Sequence, residues 1–78
     1  MDFALESEIM SMPEKAFDPK AFVSLRKQRG FTQRSLAAGA GVSQALIAEL
    51  ERGKHPPSKA SSEKLARALT CDESDFLN

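Results

Sequence analysis

Neither tryptophan nor tyrosine occurs in the chain, and five phenylalanines supply all of its aromatic surface. A core made from this composition must rest mainly on aliphatic side chains. One cysteine excludes an internal disulfide framework and fits a reducing compartment. No apolar run approaches the roughly 18 residues needed to span a bilayer, and no basic, hydrophobic leader is visible at the start. The expected location is the cytoplasm. Catalytic signatures are missing as well. The sequence places no paired-carboxylate pocket, no histidine beside a nucleophile at a known spacing, and no phosphate-binding glycine loop. His55 and Cys71 stand sixteen residues apart and are the only residues of their types, which gives no metal site. The chain therefore reads as a non-enzyme, with no cofactor and no metal.

Net charge is also lacking: the formal balance over 78 residues is zero, which argues at first sight against a nucleic-acid partner. The distribution reverses that impression. Residues 1–17 carry −3 and residues 60–78 carry −2, whereas residues 18–59, with Lys20, Arg26, Lys27, Arg29, Arg34, Arg52, Lys54 and Lys59, carry +5. A basic centre between acidic ends is either an electrostatic footprint for a phosphate backbone or an ordinary set of solvated helix faces. Charge alone weighs the two evenly.

What is present is a sequence of helix starts and stops. Asp18-Pro19 sets an N-cap before a proline at the first helical position, and the segment runs to Gly30 as a helix over about 19–29. Thr32 and Ser43 cap two more helices, over about 33–39 and 44–52, with Phe31/Leu36 and Val42/Ile47 at the spacing of apolar staples. Between them lies AAGAG, where Ala37 is too small to hold the helices apart and Gly41 suits a sharp reversal. Gly53 closes the third helix. His55-Pro56-Pro57 forces an extended connection. Either Ser58 or Ser61 then caps a fourth helix ending near Leu69, and Asp72 opens a short fifth, with Cys71 and Phe76 as its staple pair.

The first seventeen residues differ. FALESEIM could form two amphipathic turns, but a lone helix of that length is marginal in water. Residues 1–17 are read as an acidic arm, disordered by default, with ordering on a protein partner as the functional alternative. Residues 18–78 form the folded domain. At this size a fold buries only about 60% of its unfolded surface, so dimerisation would ease the shortage.

The combined spacing of LRKQRGFTQ, LA, GVS, the run from Ile47 to Ser58 (IAELERGKHPPS) and LARAL resembles the lambda repressor/Cro type of helix-turn-helix domain, also called xenobiotic-response-element-like. The resemblance covers about three quarters of the chain, from Phe22 to Leu77. It implies an all-α, compact five-helix lambda-repressor-like domain that binds double-stranded DNA sequence-specifically, usually as a homodimer. Position by position, Gln44 matches the first base-reading residue, and Ala45 and Glu49 share its helix face. A glutamine can bond adenine N6 and N7 together, an alanine methyl suits thymine, and a carboxylate can accept from cytosine N4. Gln33 matches a phosphate-contacting glutamine, with Thr32, Arg34 and Ser43 beside it. Arg52, Lys54 and Lys59 lie where relatives touch the backbone and set register. Arg26 and Glu51 match positions that often pair between the first and third helices.

Four positions depart from the pattern. Glu49 is anionic where neutral or basic residues are usual, and the bland alternative is a surface pair with Arg52 at i+3. Ser62 stands in place of a core leucine, and Gly39 weakens its helix by about 1 kcal/mol relative to alanine. Cys71 replaces a core valine, so a small buried role is expected of it. His55 is expected in the loop near phosphate. The resulting expectation is a nucleoid-associated transcriptional regulator, a repressor by preference, that lays helix 43–52 in the major groove of a pseudo-palindromic operator, as phage or plasmid regulators do. With the chain ending just after the fifth helix, control by a small ligand within it is not expected. The alternative is an antitoxin or other protein-interaction module that neutralises a partner through residues 1–17 and binds DNA secondarily.

Overall fold

Helix starts are fixed where a side-chain oxygen meets backbone N–H groups that have no partner within the helix. Asp18 Oδ1 accepts from the N–H groups of Lys20 and Ala21 at 3.1 and 3.2 Å. Thr32 and Ser35 form a reciprocal capping box: Thr32 Oγ1 accepts from Ser35 N at 3.0 Å and Ser35 Oγ accepts from Thr32 N at 2.9 Å. Ser43 Oγ accepts from Leu46 N at 3.1 Å. Of the two serines that the sequence leaves open, Ser58 is the cap, accepting from Ser61 N at 3.1 Å.

The helices that follow are α1 (Pro19–Gln28), α2 (Gln33–Ala40), α3 (Gln44–Glu51) and α4 (Lys59–Leu69) in this computed structural model, which describes residues 16–77. The architecture is all-α, with four α-helices among the described residues. In place of the short fifth helix expected from Asp72, the chain makes one 3₁₀ turn, Glu73–Asp75. The reason is reach: Thr70 leaves α4 in the left-handed conformation at φ 51°, and Phe76 is already buried in the core seven residues after Leu69. Only one tight turn fits in that span.

The core collects one apolar stripe from each helix. Phe22 of α1, Leu36 and Ala37 of α2, and Ile47 and Leu50 of α3 meet Leu65, Ala66 and Leu69 of α4, with Phe76 closing the end. Burying each large side chain contributes about 1.5–3 kcal/mol. α2 packs on both α3 and α4, and α1 packs on α3. The departure at Ser62 has a structural explanation: its side chain is 2% exposed, and its Oγ donates to Glu73 Oε1 at 2.9 Å. The hydroxyl thus ties α4 to the 3₁₀ turn where a leucine would only fill space.

The described ends meet. Asp18 N donates to Phe76 O at 2.8 Å, and Phe17 and Leu77 form an isolated antiparallel bridge. Phe17, Phe22 and Phe76 stack in tilted and edge-to-face contacts with centroids 5.6–6.2 Å apart. Phe17 therefore packs against the folded domain. Of the acidic arm expected over residues 1–17, residues 1–15 lie outside the described residues, and with them the expected helical turns and the choice between disorder and ordering on a partner.

Candidate nucleic-acid interface

α2 and α3 are separated by three residues, Gly41 to Ser43. Gly41 takes φ 75°, its N–H and that of Val42 both donate to Ala37 O at 2.9 and 3.0 Å, and the chain turns at once into the Ser43 cap. Ala37 is 4% exposed at this crossing, where its small side chain allows close approach. α3 is then held on one side only: Ile47 and Leu50 are fully buried, while Gln44 and Ala45 are exposed at its N-terminal end. Glu49 lies one turn beyond Ala45 and is partly exposed.

A largely buried charge network fixes the angle between this pair and α1. Arg26 Nε donates to Glu51 Oε2 at 2.5 Å and its Nη2 to Oε1 at 3.2 Å, a two-point contact, while Nη1 donates to Phe31 O at 2.9 Å. Both side chains are only about a tenth exposed, at 11% and 10%. Gln33 joins them, its Nε2 donating to Glu51 Oε1 at 2.9 Å. The N-terminus of α2 is thereby bound to the C-terminus of α3. Because an amide nitrogen has two hydrogens, Gln33 keeps a second donor while making this bond. No sequence spacing announced the Gln33 contact, since the two residues are 18 apart and meet only after the turn at Gly41.

Most of the expected phosphate-contacting residues are open to solvent. Arg34, Ser43, Arg52, Lys54 and Lys59 are exposed, from the start of α2 through the loop after α3 to the first residue of α4. Lys59 lies 3.9 Å from Glu63 with 81% of its side chain exposed, a pairing too solvated to hold it. Thr32 differs from the others. Its N–H donates to Ser35 Oγ and its hydroxyl lies 3.1 Å from the same oxygen, so both of its donors serve its own cap.

Glu49 does not take the surface pair with Arg52 that i+3 spacing offers. Its Oε1 meets His55 Nε2 at 3.1 Å, and His55 Nδ1 faces the Pro56 carbonyl at 3.1 Å. The reversal after α3 brings the loop back over the helix, so residues six apart become neighbours. That carbonyl and then the Glu49 carboxylate raise the His55 pKa above its ordinary value. In return the His55 hydrogen bond holds Glu49 below the usual carboxylate range, with Lys54 and Arg52 adding to the effect. Cys71 is part-buried against the core, and burial, helped by Asp75, pushes its thiol up. A thiol so raised stays protonated at neutral pH, in keeping with a packing role.

Two short helices joined by a three-residue turn, the second with its buried face clamped and its polar end outward, define a helix-turn-helix unit. Residues 24–76 match the profile of the helix-turn-helix family HTH_3, and the chain belongs to that family. It is 37% identical over 54 residues to the HTH-type transcriptional regulator SutR of Escherichia coli, covering 69% of this chain and 30% of that protein. It is 43% identical over 44 residues to an HTH-type transcriptional regulator of Methanothermobacter thermautotrophicus, covering 56% of this chain and 64% of that one. The restriction-modification controller protein C.AhdI of Aeromonas hydrophila superposes with a TM-score of 0.70 at 28% identity, covering 73% of this chain and 86% of that chain. The chain spans less than two thirds of the length of the curated relatives it matches.

Proposed function

We propose that this chain is a sequence-specific DNA-binding transcriptional regulator that places α3 in the major groove. The observation that carries this reading is the exposure of Gln44 and Ala45 at the leading end of a helix whose opposite face is fully buried. A helix entering the groove end-on offers those first residues to base edges. Gln44 reads adenine through paired bonds, Ala45 touches a thymine methyl, and Glu49 accepts from a cytosine amino group. Gln33, Arg34, Ser43, Arg52, Lys54 and Lys59 contact phosphates and set the register. Thr32 contributes through the cap that aims the α2 N-terminus.

The family of the chain and the regulators it resembles support this reading, as does the +5 balance of residues 18–59. Two copies related by a two-fold axis would set their α3 helices about 34–36 Å apart, one turn of DNA, and so read a pseudo-palindromic operator. Repression by occlusion needs no further surface and is the simplest mode of action. The test is selection of bound sequences from a random DNA pool, followed by affinity measurement in rising salt. A two-fold symmetric consensus and a steep loss of affinity with salt are expected. Weak, salt-insensitive binding to every sequence contradicts the proposal.

A further inference from the structure

Resting on that reading of α3, we propose that His55 is the positioning residue for Glu49: as an imidazolium bridging Glu49 Oε1 and the Pro56 carbonyl, it cancels the carboxylate charge beside phosphate and leaves Oε2 to accept from a cytosine amino group.

The argument begins with donor counting. Both ring nitrogens face acceptors 3.1 Å away, a carboxylate oxygen and a backbone carbonyl. A neutral imidazole carries one N–H and can serve only one of them, whereas the cation serves both. The two-acceptor setting therefore favours the charged ring. The surroundings are consistent with this. The charged groups acting on His55 are Glu49 from α3, which favours the cation, and Lys54 from the same loop, which opposes it. On the other side the loop faces Ala16, Phe17 and Pro19, which carry no side-chain charge. Arg52 and Lys54 act on Glu49 and favour its ionised form.

The consequence for recognition follows from placement. Glu49 is one helical turn from Ala45 on the reading face, with 36% of its side chain exposed, and it is the anion that a helix docking against phosphates must accommodate. With His55 charged, the pair is neutral and one carboxylate oxygen is fixed. With His55 neutral, a net negative charge faces the DNA and the carboxylate loses its anchor. Both effects weaken binding as the histidine deprotonates, and the second also relaxes the base preference at one operator position.

His55 is the only histidine, so its ring titration can be followed without ambiguity by NMR on the whole chain. In the free protein, Glu49→Gln should lower the midpoint of that titration; an unchanged midpoint overturns the pair itself. Operator affinity should weaken about three- to fivefold between about pH 6 and pH 8 in the wild type, and stay flat in His55→Gln. The selected-sequence consensus of His55→Gln should lose preference at one position per half-site and keep the position read by Gln44. Wild-type affinity that is independent of pH, with the NMR pair intact, overturns the positioning role while leaving α3 as the reading helix. Absence of specific DNA binding at any pH overturns both, and is recognised by the lack of any consensus.

Discussion

Arg26 illustrates how much a single side chain carries here. Its guanidinium donates to Glu51 on α3 and to the Phe31 carbonyl in the turn before α2, so one residue sets the distance from α1 to both halves of the motif. Removing one member of a buried pair leaves the other charge unpaired, and Arg26→Met should destabilise the fold by about 3–5 kcal/mol in chemical denaturation. A loss under about 1 kcal/mol would mean that the pair is solvated. Gly39 predicts the opposite sign: it is helical, and a Cβ there would meet only Phe31 at an ordinary 3.9 Å. Gly39→Ala should stabilise by up to about 1 kcal/mol without altering DNA affinity. His55 gives a pH dependence of stability whose sign follows from its raised pKa. A group with a raised folded-state pKa contributes stability fully below its unfolded value, about 6.5 for histidine, and loses it as pH rises through the folded value. The melting temperature of the wild type relative to His55→Gln should therefore fall between about pH 6 and pH 8. An unchanged difference contradicts the charged pair.

At the level of elements, the turn between α2 and α3 is the critical joint. Gly41 sits at φ 75° with open space where a Cβ would stand, so the strain of a side chain there is purely conformational. Gly41→Ala should destabilise by about 1 kcal/mol, measurable as a lower denaturation midpoint. This joint was legible in the sequence, because capping residues and glycines act through bonds to their immediate neighbours. The same locality explains why Asp18, Thr32 and Ser43 could be read as caps. Contacts across the chain were less legible. Gln33 meeting Glu51, Ser62 meeting Glu73 and His55 meeting Glu49 all depend on where separate elements come to lie, and no local spacing encodes that. Arg29 is a further case: its Nε donates to Leu69 O at 2.8 Å, covering a carbonyl at the end of α4 from forty residues away. The short fifth element is a single 3₁₀ turn for a related reason: Asp72 opens it, its N–H donating to Asp75 Oδ2 at 3.1 Å, but the room available before Phe76 is set by the core.

At the scale of the whole molecule, α3 reading DNA as proposed would assign affinity and discrimination to different residues. The leading end of α3 presents Gln44 and Ala45, neither of them charged, while the exposed cations Arg34, Arg52, Lys54 and Lys59 lie on α2, after the end of α3 and at the start of α4. Lys59→Ala should weaken binding to all sequences alike and reduce the slope of log affinity against log salt by about one. Gln44 should behave otherwise, because bonds to base edges carry sequence information that bonds to phosphate lack. The measurement that bears most directly on the account is the selected-sequence consensus of Gln44→Ala set beside that of the wild type. Relaxed preference at one position of each half-site, with about 1–3 kcal/mol lost on the wild-type site, is the predicted result. An unchanged consensus contradicts the placement of α3 as the reading helix.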